Sequence, residues 1–307
     1  MDIRQLRYFV EVVEAKSFTK AADRVRVAQP ALGFQVKKLE EELGMALLVR
    51  HSRGVEPTEA GRVLVRHAQS IMRQVEQARQ ELIDLAGPPR GRVVLAITPT
   101  TSALLATRLV TECRRECPEI TLNLVEALSE QIMRWLADNR VDLGFTYNPD
   151  AVRGIRTEPL LVEDLYFIGP GAEAGRFPEA VSFAAIARQP LILPTKPHGT
   201  RLKVEEAADQ TGAALQVSFE IDSVTTIREL VESGAGYTVL PYAAVQDSIR
   251  SGALFARRIV RPRVSRTLHL GYCVSFLDSS ASRAVRDLIA RLVAERAGGT
   301  EGYRRVT

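Results

Sequence analysis

Cysteine is scarce in this sequence of 307 residues, with three in all at Cys113, Cys117 and Cys273. A small odd number in so long a chain excludes a disulfide framework and points to reduced thiols in a cytoplasm. Histidine numbers only four, and none is spaced with Cys113 and Cys117 as zinc ligands are. Those two cysteines read as a buried pair of thiols one helical turn apart. No G-x-S-x-G, G-x-G-x-x-G or phosphate-loop pattern occurs, which removes the common signatures of hydrolase, dinucleotide and nucleotide chemistry. The single tryptophan, Trp135, reads as core rather than as a cofactor platform. No apolar run approaches the roughly 18 residues that span a bilayer. Asp2, Glu11 and Glu14 interrupt the apolar N-terminus, so no signal peptide is expected. An enzyme, a cofactor, a metal site and a membrane anchor are all left without support.

The length predicts two or more domains. Bulk charge decides little. The first 90 residues hold 15 Lys and Arg against 12 Asp and Glu, and the remainder holds 26 against 25. Any case for nucleic-acid binding must rest on where particular side chains point.

The first sixty residues read as three short helices and a hairpin. Asp2 and Gln5 make a D-x-x-Q start, with the carboxylate free to cap N-terminal amides. Leu6, Phe9, Val10 and Val13 follow at helical spacing. Ser17 caps a second helix through Ala21, Ala22 and Val25, and Pro30 sits where a first-turn proline is tolerated in a third. The third helix carries Leu32, Val36, Leu39 and Leu43, and Gly44 stops it. Helices joined this tightly fit a helix-turn-helix. The four apolar residues cluster within about 60° of arc. Pro30, Ala31, Phe34, Lys37 and Lys38 then fall on the opposite side. An exposed phenylalanine flanked by lysines has a use in a major groove, against thymine methyls, while the lysines reach phosphates. The alternative is that Phe34 packs on another domain. Leu47 to Arg50, Gly54 and Pro57 next suggest a two-stranded wing, with Arg53 at its tip for a minor groove and Arg50 for a phosphate.

Gln29-Pro30-Ala31-Leu32, Lys38-Leu39-Glu40, Leu43-Gly44, Leu47-Leu48-Val49-Arg50 and Pro57-Thr58-Glu59-Ala60-Gly61, in that order, resemble the LysR-type transcriptional regulators. The resemblance implies a winged helix-turn-helix over residues 1–58 that binds double-stranded DNA. Its expected contacts are Ser17, Thr19, Gln29, Pro30, Ala31, Gly33, Phe34, Gln35, Lys37, Lys38, Arg50 and Arg53. The family's recognition helix usually carries a serine and then a polar residue where this chain has Gly33 and Phe34, so no base preference is carried over.

Thr58 caps a predicted helix running to Leu85, ahead of the breaker Gly87-Pro88-Pro89, giving a linker over residues 59–88. Within it Leu64, Ala68, Ile71, Val75, Ala78, Leu82 and Leu85 alternate steps of four and three, a narrow stripe suited to one partner helix. Such a helix is about 42 Å long, too long to fold back on a sixty-residue domain. Packing on the chain's own C-terminal domain is the alternative. In the resembled family this helix dimerises, so two winged domains address a two-fold DNA site; the likeness also implies a homotetramer, and RNA polymerase as a partner if the protein activates.

Beyond Arg90 the texture changes to alternating strands and helices. Strands are expected at Val93–Ile97, Ile120–Val125, Val141–Phe145, Leu165–Gly169, Leu191–Leu193, Val217–Ile221, Tyr237–Leu240 and Leu268–Phe276. Helices are expected at Leu104–Cys117 and Ile132–Ala137, from Thr200, from Ser223, and at Ser282–Glu295. The rhythm predicts a mostly parallel sheet in a two-lobed α/β domain over residues 91–307. Crossings near Val162 to Asp164 and Val264 to Arg266 divide it into a first lobe of about 91–162 plus 267–300 and a second of about 163–266. That arrangement resembles periplasmic solute-binding proteins and the LysR effector domain. A free solute-binding protein is the other reading, opposed by the N-terminal ninety residues. Ligands bind beyond the carboxyl ends of such strands. The effector residues expected there are Thr98, Thr100, Thr101, Ser102, Ser129, Tyr147, His198, Thr200, Arg201 and Ser223. Hydroxyls and free amides at two helix starts suit an anion, with Arg201 and His198 to supply charge. Ordinary helix capping is the competing account of each hydroxyl. The run from His198 to Arg201, with Glu220 to Ser223 and Gly234 to Pro241, further resembles the nitrogen-assimilation-control branch of the family; that likeness does not fix the effector.

Overall fold

The computed structural model describes residues 1–307 apart from 52–53, 85–86, 274–278, 298–301 and 307. The chain divides into two compact units, one of residues 1–87 with 138–140 and the other of residues 88–137 and 141–307.

In the first unit, α1 (Ile3–Ala15) opens on the expected reciprocal cap: Gln5 N donates to Asp2 Oδ1 at 2.8 Å, and Asp2 N to Gln5 Oε1 at 2.9 Å. α2 (Phe18–Val25) is capped by Ser17, and α3 (Gln29–Leu43) stops at Gly44 in the left-handed region. Strands β1 (Leu48–His51) and β2 (Gly54–Pro57) pair antiparallel as the wing. α4 (Glu59–Asp84) follows, started by Thr58, whose hydroxyl accepts from Gly61 N and donates to the Ala46 carbonyl, each at 2.9 Å. Gly61 is the residue that permits this join, because a Cβ there would lie 2.1 Å from the Leu47 carbonyl oxygen. Leu6, Phe9, Leu32, Leu39 and Leu47 form the buried centre.

The apolar seam of α4 divides in two. Ala68 is fully buried in this core, and Leu64 and Ile71 are half-buried against it beside α1. Val75 and Leu82 are 44% and 72% exposed, Ala78 is exposed, and Leu85 lies outside the described residues. The expectation that the whole seam faces a partner is therefore corrected for its first half. Heptad spacing says that a stripe is buried but not by what, and the small Ala68 lets α1 close onto the helix.

The second unit holds two lobes on one continuous nine-stranded sheet. The first lobe carries β3 (Gly91–Ile97), β4 (Ile120–Glu126) and β5 (Leu143–Tyr147), covered by α5 (Pro99–Glu116), α6 (Ser129–Ala137) and α11 (Ser280–Ala297). The second carries β7 (Ala180–Ser182), β8 (Leu191–Leu193), β9 (Val217–Glu220), β10 (Thr238–Pro241) and β11 (Leu254–Val260) with α7 (Phe183–Ala187), α8 (Gly199–Thr211), α9 (Val224–Glu232) and α10 (Gln246–Arg250). Both lobes share β6 (Ile155–Pro170) and β12 (Ser265–Cys273), which lie side by side and run in opposite directions. β13 (Tyr303–Arg305), from the C-terminal segment, also pairs with β6, as do β10 and β11. The nine-stranded sheet thus runs β4-β3-β5-β12-β6-β11-β7 with β10 and β13 added on β6, while β8 and β9 form a separate pair.

The sheet is mixed, which corrects the expected parallel one. β3 is parallel to β4 and β5, while β12 and β6 are antiparallel to each other and β12 to β5. Two chain crossings in opposite directions, made by adjacent strands, require that antiparallel pair. Among the described residues no helix is long and apolar enough to cross a membrane.

Candidate functional site

Two places bring the singled-out residues together, one in each unit. On α3, Leu32, Val36 and Leu39 are buried and Leu43 is half-buried, while Phe34 on the opposite side is 64% exposed. Gln29, Pro30, Ala31, Lys37 and Lys38 are exposed with it, and Gly33 and Gln35 are half-buried. Lys37 pairs loosely with Glu41 at 3.5 Å along the helix, and Gln35 Oε1 accepts from Gln5 Nε2 at 3.5 Å. A side chain at Gly33 would meet nothing closer than Gln29 Nε2 at 3.8 Å, so the gap beside Phe34 is open. Ser17 and exposed Thr19 stand at the start of α2. Exposed Arg50 lies 4.2 Å above the Phe18 ring, which steadies its guanidinium. Arg53 is outside the described residues.

The second place is the junction of the lobes. Thr98 caps α5 and its hydroxyl lies 2.8 Å from that of Thr101, which donates to the Tyr147 hydroxyl at 3.1 Å. Tyr147 N donates to Ser129 Oγ at 3.1 Å. Across the junction, His198 caps α8 by accepting Thr200 N on Nδ1 at 3.1 Å. The residue at the centre is one that sequence reasoning left out of the site, Arg266. Its Nη2 donates to Thr100 Oγ1 at 2.8 Å in the first lobe and its Nη1 to Thr200 Oγ1 at 3.0 Å in the second. Its Nε donates to Glu163 Oε2 at 2.7 Å, and its guanidinium carbon stands 3.6 Å over the Tyr147 ring. Glu163 is directly opposite Arg266 on β6, and both side chains are 1% exposed.

The electrostatics follow from this burial. Desolvation opposes the charge on Arg266, but the Glu163 carboxylate more than offsets it and the net shift is upward. His198 is pushed down to about 4, first by burial and then by the Arg266 charge, so it is neutral at pH 7. Arg201, expected to supply charge here, is corrected: it is committed to Glu205, Glu220 and the Pro194 carbonyl at 2.7, 2.7 and 3.2 Å. A turn of helix between Arg201 and its own glutamate explains this, since Glu205 sits four residues along.

Among the described residues the junction has an inner cavity and an outer one. The inner one, lined by Thr98, Thr100, Ser129, Tyr147, His198 and Arg266 among others, measures about 10 Å³, room for about one water. An outer cleft of about 480 Å³ lies between the N-termini of α5 and α9. Thr100, Ser102, Glu126, Asp222, Ser223 and Arg228 line it.

Known proteins place this architecture. Residues 3–62 match the bacterial regulatory helix-turn-helix of the lysR family, and residues 86–294 match the LysR substrate binding domain. The nitrogen assimilation regulatory protein nac of Klebsiella aerogenes is 35% identical over 294 residues, covering 95% of each chain. The DNA-binding transcriptional dual regulator OxyR of Escherichia coli K12 is 30% identical over 277 residues, covering 89% of each. A full-length OxyR variant from Pseudomonas aeruginosa superposes with a TM-score of 0.77 at 25% identity, over 100% of this chain and 99% of that one.

Proposed function

The chain belongs to the LysR family of DNA-binding transcriptional regulators, and from that premise we propose which residues read DNA, where a ligand is sensed and what kind of ligand it is. α3 enters the major groove with Phe34 against base edges and Lys37 and Lys38 toward phosphates, and Arg50 holds the backbone beside the wing. Support comes from Phe34 standing exposed opposite the buried Leu32, Val36 and Leu39. The exposed half of α4, with Val75, Ala78 and Leu82, carries the homodimer contact. Leu82→Asp then lowers the mass seen in sedimentation while leaving thermal stability near that of the parent; an unchanged mass moves the dimer contact elsewhere.

The effector binds in the outer cleft. The observation that carries this is the position of Arg266, which fills the inner junction and leaves room there for about one water. A simple anion gains little at the inner site, because the buried cation is already paired with Glu163 and His198 is neutral. The outer cleft offers both signs: two helix N-termini and Arg228 for a carboxylate, Glu126 and Asp222 for an ammonium. An amino-acid-sized zwitterion fits that balance. Peroxide sensing, suggested by the names of some relatives, draws no support from Cys113 or Cys117. Burial pushes Cys113 and Cys117 up, away from the reactive thiolate.

The test is a thermal-shift series on the full-length protein with amino acids, their amides and their deaminated acids. A zwitterion that stabilises the parent but not Ser223→Ala or Arg228→Gln supports the reading. Stabilisation by the deaminated acids alone overturns it.

A further inference from the structure

The segment beyond residue 294 lies outside the matched LysR substrate binding domain, yet it ends on the busiest part of the fold. β13 adds to β6 at Leu161 to Glu163, placing Tyr303 directly opposite Glu163 and Arg304 opposite Val162. Gly302 O accepts from Asp164 N at 2.8 Å, and Arg304 Nη2 donates to Asp164 Oδ1 at 3.2 Å. Tyr303 is buried within the first lobe's core. Two buried oxygens at this spot, Glu163 Oε1 and the Tyr303 hydroxyl, make no hydrogen bond of good geometry among the described residues, yet burial and then the nearby Glu163 carboxylate hold the phenol's proton on, well above the usual tyrosine range. They belong to residues facing each other across a strand pair, and only one of them has a proton to give.

We propose that the C-terminal strand is a working part of the lobe junction, with Tyr303 as a positioning residue that holds the Glu163 carboxylate while that carboxylate aims Arg266 at Thr100 and Thr200. A carboxylate with one oxygen on Arg266 and the other unsatisfied is free to rotate about its last torsion. A phenol donating to the free oxygen removes that freedom and satisfies a buried acceptor that is costly to leave bare. The guanidinium fork then keeps a fixed plane, which its simultaneous reach to both lobes requires. The ring of Tyr303 excludes water from the same carboxylate. The inference rests on the reading of Arg266 as the group that fills the lobe junction, and it concerns the protein before any ligand arrives.

Hydrogen exchange on the full-length protein without ligand tests it, following peptides that cover Thr98 to Leu104 and His198 to Lys203. These helix starts lie on different elements from β13, so fraying of a merely structural tail would leave them as they are. Tyr303→Phe removes only the hydroxyl, and is expected to speed exchange in both peptides at least threefold. Arg266→Lys is expected to show the same pattern with a larger increase. A chain ending at Ala297 should match or exceed the effect of Tyr303→Phe. Exchange in both peptides unchanged in Tyr303→Phe and in the shortened chain overturns the proposal, whatever happens to melting temperature. Failure of every zwitterion to bind leaves this result standing, so the two readings fail separately.

Discussion

The exposed face of α3 and the junction around Arg266 handle cations in opposite ways. Lys37 and Lys38 stand in water, the first loosely paired with Glu41. Arg266 is wholly buried and has its carboxylate, two hydroxyls and an aromatic face already in place. The first arrangement contributes little to folding and keeps its interaction energy for a partner. The second spends its interactions on holding two lobes together. A surface meant to recognise and an interior meant to hold are therefore separable by mutation: changes at the first should alter DNA binding without stability, and changes at the second the reverse.

The largest expected effect is at the junction. Arg266→Met leaves Glu163 buried and unpaired, which should cost about 3–5 kcal/mol of stability. Chemical denaturation measures it, and adding Glu163→Gln should restore much of the loss. Non-specific DNA affinity of the surviving folded protein should stay near that of the parent; a large fall there would break the separation.

His198 gives the next effect, through pH. Its folded value of about 4 lies below the ordinary histidine value near 6.5. Above pH 6.5 both folded and unfolded forms are neutral, and the group is silent. As pH falls from 6.5 to 4 only the unfolded chain takes up the proton, so stability declines, by about 3 kcal/mol in total. His198→Asn keeps a capping acceptor for Thr200 N and should flatten this limb. Some slope should persist, because burial also lowers His269. An identical pH profile for His198→Asn would mean that the imidazole is not held neutral.

Smaller effects belong to the reading face. Phe34→Ala should weaken specific DNA binding by about 1–3 kcal/mol and leave non-specific binding almost unchanged. Its melting temperature should hold, since the ring touches solvent. Equal losses on every DNA sequence would remove Phe34 from the groove. Lys37→Ala is the finest probe. Without an ammonium at the phosphate, binding to all sequences should weaken and the salt dependence should flatten by about one unit.

Much of this division was readable from residue spacing. The caps at Asp2 and Ser17, the stop at Gly44, the wing and most strands follow from local chemistry, and the structure has them. At the crossings near Val162 to Asp164 and Val264 to Arg266, Glu163 and Asp164 of β6 pair with Arg266 and Ser265 of β12. The junction's owner was missed although its signal is present. Val264, Arg266 and Leu268 alternate with period two, as do Leu161, Glu163 and Leu165, and the apolar members are all buried. A lone charge in register with buried neighbours must point inward too. β11 was obscured by Arg257 and Arg258, and β13 by its length of three residues. The buried half of the α4 seam was hidden for another reason: a pattern on one helix does not name the element that covers it.

The missing side chain at Gly61 has a consequence at larger scale. With the Leu47 carbonyl standing where a side chain would be, the start of α4 packs directly on the backbone that leads into the wing, and this close join favours one bearing for the helix. In a dimer joined through α4, the distance and phase between two recognition helices are then set by how many residues separate Gly61 from the contact. Each residue counts for about 1.5 Å of travel and 100° of rotation. One residue inserted after Met72 would swing a winged domain off its half-site, whereas seven would return it to within about 20° of its original bearing while displacing it by about 10 Å. In such a dimer the helix would be a ruler whose zero mark is a glycine, and the spacing of the DNA half-sites would be the length it measures.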